Sequence, residues 1–140
     1  MPATNATLLP ARMEQALAAA RRAADAAGVA VCVALVDQAG TLCAFLRMPG
    51  AFLISDDLAV DKAWSAAGMA LSTRALGEML AGQTPAVRDG LLRRPRLTQV
   101  PGGLPIMRAG RCAGGVGISG GSQHQDEDIA RAALAALEEV

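Results

Sequence analysis

Apolar positions recur along this chain with two different periods, and the points where the period changes mark its predicted elements. A lead-in over residues 1–9 is predicted to be flexible, and Pro10 then opens a helix at a first-turn position, where its missing N–H leaves nothing unpaired. Met13, Leu17 and Ala20 suit one face of that helix, with Arg21, Arg22 and Asp25 elsewhere, and Gly28 is placed to end it. Residues 29–36 are continuously apolar and β-branched, as a buried strand would be. Asp37, Gln38, Ala39 and Gly40 make a turn, and residues 41–47 return as the second strand of a hairpin.

Met48, Pro49 and Gly50 break the pattern, and Ser55 or Asp56 is the predicted cap of a helix over residues 57–69. A break at residues 71–73 leaves Ser72 or Thr73 to cap a shorter helix that runs to Ala81 and stops at Gly82. Residues 84–99 read as a polar, arginine-rich connection with one helical turn near residues 86–92. Pro101, Gly102, Gly103, Leu104 and Pro105 suggest a tight loop, and residues 106–108 and 112–118 a second hairpin across Ala109, Gly110 and Arg111. A last helix is expected to start at Ser122 and run to the C-terminus. The order is α-β-β-α-α-β-β-α, an α/β (α+β) single domain over residues 1–140. Hairpins in place of β-α-β units imply a mainly antiparallel sheet, of about five strands, flanked by helices.

Composition narrows what such a domain can do. The apolar fraction is 52%, much of it alanine, and a surplus of apolar surface in a small chain points to a homo-oligomer. Thirteen basic and thirteen acidic residues balance, so there is no electrostatic footprint for nucleic acid or an anionic membrane. One Trp, two Phe and no Tyr leave no base-stacking platform. Cys32, Cys43 and Cys112 are widely spaced and read as small core residues in a reducing compartment. With no signal-peptide pattern and no run approaching a membrane span, the chain is expected to be cytoplasmic.

Candidate chemistry gathers around the glycine run 114–121 and the helix after it. Gly115, Gly117 and Gly120 match a dinucleotide-binding spacing, but only one helix follows, without the strand and acidic residue that the motif needs. What survives is a strand-to-helix turn with Ser119, Gly120 and Gly121, whose backbone N–H groups could face an anion or a carbonyl oxygen. Ser122 and Gln125 suit a capping box, and Asp126, Glu127 and Asp128 complement the helix dipole. His124, the one histidine, sits in the first helical turn with chemistry suited to an axial haem ligand or a proton shuttle, or to a plain surface position. Lys62 is the one lysine beside twelve arginines. Its helical neighbours Leu58, Ala59, Ser65 and Ala66 offer a small, mostly apolar surround that would lower its pKa, in keeping with an acid/base group or a snorkelling surface lysine. Asp37 is a turn-former or a ligand contact, and Arg47 a carboxylate clamp or an exposed strand-end charge. No metal-ligand spacing stands out.

Together these segments resemble a known family. Val36-Asp37 with Gly40, Arg47-Met48 with Gly50-Ala51, Ser55 with Asp57, Ala59 and Lys62-Ala63-Trp64-Ser65, Pro101-Gly102-Gly103 with Pro105-Ile106, and Gly117-Ile118-Ser119-Gly120-Gly121 with Gln125-Asp126-Glu127 are similar to the GlcG/HbpS family. That family is related to the C-terminal domain of PduO-type cobalamin adenosyltransferases. Pro49 departs from its pattern, standing where an acidic residue is common. The resemblance implies a central antiparallel sheet flanked by helices, homo-oligomers, genes placed among catabolic ones and, in some members, binding of haem or a corrinoid-related ligand. Two functions are therefore expected of this chain. The first is a small-molecule-binding domain that takes haem or a related tetrapyrrole, its cleft lined by Lys62, Gly102, Gly103, Ser119, Gly120, Gly121 and His124. The alternative is a catabolic enzyme of isomerase, lyase or hydrolase type, acting on a small carboxylated or carbonyl substrate, with Lys62 as acid/base and Arg47 as clamp.

Overall fold

Two hairpins, β1 (Cys32–Asp37) with β2 (Leu42–Arg47) and β3 (Gly103–Arg108) with β4 (Arg111–Ser119), join through β1 and β4 into one antiparallel sheet ordered β2-β1-β4-β3. The computed structural model describes residues 6–138. One face of the sheet is covered by α1 (Pro10–Ala27) and α5 (Gln123–Glu138), the other by α2 (Ser55–Met69), and α3 (Thr73–Ala81) and α4 (Pro85–Leu92) follow α2 before the chain re-enters the sheet.

The period-two alternation of β1 and β4 sorts side chains by size. Val33, Leu35, Val116 and Ile118 point one way, into a core shared with Ala16, Ala20 and Ala24 of α1 and Ile129, Ala133 and Leu137 of α5. Cys32, Ala34 and Val36 point the other way and pack on Ala59 and Ala63 of α2. Opposite them, Gly115, Gly117 and Gly103 carry no side chain at all. A Cβ on Gly117 would strike the carbonyl of Ala59, on Gly115 that of Ala63, and on Gly103 that of Lys62. These glycines therefore let the backbone of α2 lie almost directly on the sheet. The alanine-rich composition suits both interfaces, because small side chains bring helix and sheet axes close.

Several local expectations hold. Gly28 ends α1 in the left-handed conformation at φ 71°, Ser72 caps α3 by accepting the Ala75 N–H at 3.0 Å, and Ser122 and Gln125 form the reciprocal capping box at 2.9 and 3.2 Å.

Others are corrected. The described sheet has four strands, not about five, because the two hairpins make up all of it, and the helical turn expected near residues 86–92 is a full helix capped by Thr84 with Pro85 in its first turn. The order gains that helix and becomes α-β-β-α-α-α-β-β-α. The stretch from Gly103 to Pro105 is the start of β3, not a loop. Pro105 is tolerated there because β3 is an edge strand. Neither Ser55 nor Asp56 caps α2 with its side chain: their N–H groups bond to the carbonyls of Phe52 and Leu53, a turn that winds straight into the helix. Residues 6–8 form a 3₁₀ turn with Thr7 and Leu8 buried, while the rest of the expected flexible lead-in, residues 1–5, lies outside the described residues. Cys43 is exposed on β2, against its expected core role. Among the described residues no helix is long and apolar enough to cross a membrane.

Candidate functional site

Lys62 sits mid-way along α2, with its helix pressed to the sheet by the glycines of β3 and β4. Its side chain runs along the end of the sheet towards the start of α5, and only 1% of the residue is exposed. The ammonium donates to the carbonyl of Ile118 at 2.7 Å and to Oδ2 of Asp126 at 3.0 Å. Gly102 makes room for it, since a Cβ there would stand 2.8 Å from Nζ. Asp126 is equally buried, and its Oδ1 accepts the N–H of Gly121 at 2.8 Å. The pair thus ties α2, on one face of the sheet, to α5, on the other.

Burial dominates the electrostatics of both partners. It pushes the Lys62 pKa below the usual ammonium range, opposed by the charges of Asp126 and Glu127. It pushes the Asp126 carboxyl upward, opposed by Lys62 and by the backbone N–H groups of Gly121 and Gly120. Next along α5, Glu127 receives a two-pronged grip from Arg74 of α3, at 2.7 and 2.8 Å, and that hydrogen bonding holds its carboxyl below the usual range.

Beside the pair opens a cavity of about 240 Å³. Its wall is apolar on the side of Phe52, Ile54, Leu58 and Val100. Ser119, Gly120 and Gly121 also line the cavity, together with Ser55, Lys62, Gln123 and Asp126. The segment that supplies Phe52 and Ile54 is apolar and open: Phe52, Leu53 and Ile54 are 68%, 75% and 75% exposed.

The structure brings Lys62, Ser119, Gly120 and Gly121 together in this cleft and places Gly102 and Gly103 against Lys62 itself. It does not bring in the rest. Asp37 stands opposite Gly114, five positions along β1 from Cys32, which stands opposite Ser119. That separation is about 17 Å at strand rise. The Asp37 carboxylate accepts the N–H groups of Ala39 and Thr41 at 2.9 and 3.0 Å, so it shapes its turn. Arg47 lies at the cleft end of the sheet but is held by the Ala51 carbonyl at 3.0 Å and by Asp56 at 3.6 Å, outside the cavity wall. His124 is 79% exposed and leans towards Glu127 at 3.9 Å, outside the cavity wall although Gln123 beside it lines the cavity. The N–H of Gly121 is already taken by Asp126, so the anion that the glycine turn holds is the protein's own carboxylate.

Asp126 is the residue that sequence reasoning missed. The sequence alone assigns it to the helix dipole with its neighbours, yet a lone lysine in an apolar surround calls for a buried counter-charge, and the acids after the glycine turn are the available ones. Ser55 and the apolar wall had no comparable signal. Cys32, whose thiol donates to Asp56 at 3.2 Å, has its pKa pushed up to about 12, chiefly by burial and then by that carboxylate, and is therefore an inert packing group.

A four-stranded antiparallel sheet with one helix seated on its glycine face and two on its branched face defines an α+β domain with a cleft at the sheet's end. The family model described as "Haem degrading protein HbpS-like" matches residues 9–135, and the chain belongs to that family. It is 39% identical over 127 residues to the corrinoid adenosyltransferase PduO of Salmonella typhimurium, aligning 89% of this chain but only 37% of that protein's length. Among solved structures, it resembles the PduOC:heme complex with a TM-score of 0.83 and 37% identity, covering 91% of this chain and 93% of the other. It resembles a double mutant of HbpS from Streptomyces reticuli with a TM-score of 0.86 and 34% identity, covering 99% and 91%.

Proposed function

We propose that this chain is a small-molecule-binding domain that takes haem or a related tetrapyrrole at the apolar mouth of the Lys62 cleft. The observation that carries this reading is its 37% identity, over almost the whole of both chains, to a domain solved as a haem complex. The geometry supports it in one respect and limits it in another. Three consecutive large apolar residues, Phe52, Leu53 and Ile54, are exposed beside the cavity and offer apolar contact to a macrocycle. The interior of about 240 Å³ lies below the range of about 300–1,000 Å³ usual for enclosing ligands of drug size. A tetrapyrrole would therefore rest mostly outside this interior, against Phe52 and Ile54, where a second copy of the chain could cover it. His124, outside the cavity wall with its Nδ1 turned to Glu127, would have its Nε2 free to hold the haem iron if the group extends that far. When bound, haem supplies redox and diatomic-gas chemistry, and the protein supplies orientation and burial.

Hemin titration of the purified protein, followed at the Soret band, tests this. A saturable shift at micromolar hemin is expected, weakened by Phe52→Ser/Ile54→Ser and altered in band position by His124→Ala. Absence of a saturable shift overturns the proposal. A shift indifferent to Phe52 and Ile54 moves the site away from this mouth.

A further inference from the structure

The interior of the cleft is built for something other than a macrocycle. Ser55 and Ser119 are 2% and 3% exposed, and both line the cavity. Neither hydroxyl makes a hydrogen bond among the described residues, and no buried side-chain oxygen there lacks a partner, so both hydroxyls open onto the cavity. Water or a ligand there can complete their hydrogen bonds. Lys62 adds a third vacancy: an ammonium has three N–H donors, and Ile118 and Asp126 account for two.

Charge decides what kind of molecule fits. The charged groups on the cavity wall are Lys62 and Asp126, which neutralise each other at 3.0 Å. Glu127 and Asp56, next in the chain to Asp126 and Ser55, are paired too, with Arg74 and Arg47. An anion entering the cleft would lie beside the Asp126 carboxylate, and a cation beside the Lys62 ammonium, with no uncompensated partner for either. A neutral oxygen acceptor would take the spare Lys62 N–H and the two hydroxyls at no electrostatic cost. The apolar wall of Phe52, Ile54, Leu58 and Val100 would cover the rest of such a molecule. At about 30 Å³ per water-sized group, the cavity holds roughly eight of them.

We infer that the cleft binds a small uncharged carbonyl compound, its oxygen directed at Ser55, Ser119 and Lys62 and its apolar body against the Phe52–Leu58 wall. The inference does not depend on tetrapyrrole binding at the mouth and is tested on the protein without hemin.

Amide chemical-shift mapping by NMR, with cyclohexanone, cyclohexanecarboxylate and cyclohexylamine as matched probes, reads it directly. Cyclohexanone is expected to give saturable millimolar shifts at Lys62, Ser119, Gly120 and Gly121, with the charged analogues at least roughly tenfold weaker. Ser55→Ala/Ser119→Ala should weaken the ketone roughly tenfold, with its fold verified from the same spectrum and Ser119→Ala alone used if the double variant is unfolded. Equal or tighter binding of either charged analogue overturns the inference. So does ketone binding that ignores the serine changes, or the absence of saturable shifts in the cleft.

Discussion

The two faces of the sheet solve the same problem in opposite ways. Towards α1 and α5 the sheet presents Val33, Leu35, Val116 and Ile118, and the helices answer mostly with alanine. Towards α2 it presents Cys32, Ala34 and glycines, and the helix comes down until its own carbonyls occupy the space where Cβ atoms would be. The first face is held by interdigitating side chains, which repack when trimmed. The second is held by backbone against backbone, which cannot yield. The rigid face is also the one that carries Lys62, so the close approach fixes where the ammonium falls.

That difference predicts the largest effect. Gly117→Ala would drive a methyl into the Ala59 carbonyl and should cost roughly 3 kcal/mol or more. On the other face, Ile118→Val removes a methylene from a fully buried side chain and should cost about 1 kcal/mol. Denaturant unfolding of both variants measures the contrast. If the alanine is absorbed more cheaply than the lost methylene, the two faces are not different in kind.

A middle-sized effect concerns what joins the faces. Lys62 and Asp126 cross the end of the sheet as a buried pair, with side-chain exposures of 1% and 4%. Lys62→Met strands a buried carboxylate and should cost roughly 3 kcal/mol. Asp126→Asn in the same chain removes the stranded charge and keeps an oxygen for the Gly121 N–H, so the double variant should regain most of that loss. A double variant whose loss is the plain sum of the two single losses would show that the pair is not coupled across the sheet.

Much of this was legible along the chain, and the failures share a cause. Capping and periodicity are local, so Gly28, Ser72, Ser122 with Gln125, and the two hairpins could be read from neighbouring residues. The alternation Gly115-Val116-Gly117-Ile118-Ser119 was visible as well. A glycine, however, reports only that something comes close, and whether it is a ligand or a helix depends on the fold. Here Gly115 and Gly117 admit α2, and only Gly120 and Gly121 border the cleft. Lys62 has helical neighbours that allow either burial or snorkelling, and the fold selects burial. Its partner lies 64 residues away and could be narrowed to the acids after the glycine turn but not chosen among them. Asp37 takes the turn-forming role that its position offers, accepting its own turn's N–H groups, whereas the partners of Arg47, Asp56 and the Ala51 carbonyl, are revealed only by the folded backbone.

The smallest effect separates the second tie between the layers from the first. Arg74 of α3 grips Glu127 of α5, but the arginine side chain is 38% exposed, so solvent weakens this link where it cannot weaken Lys62–Asp126. The grip holds the Glu127 pKa below its ordinary 4.5. A carboxyl depressed by folding stabilises the fold fully above its unfolded pKa and loses that contribution as pH falls through the folded value. Arg74→Gln removes the cause of the depression. The variant should therefore unfold more easily than the parent at neutral pH by a modest margin, and the margin should shrink once the pH drops below 4.5. Thermal melts of both proteins across that range measure it. A margin that stayed constant into acid would mean that Arg74 acts by packing its stem on α5 and not by charge.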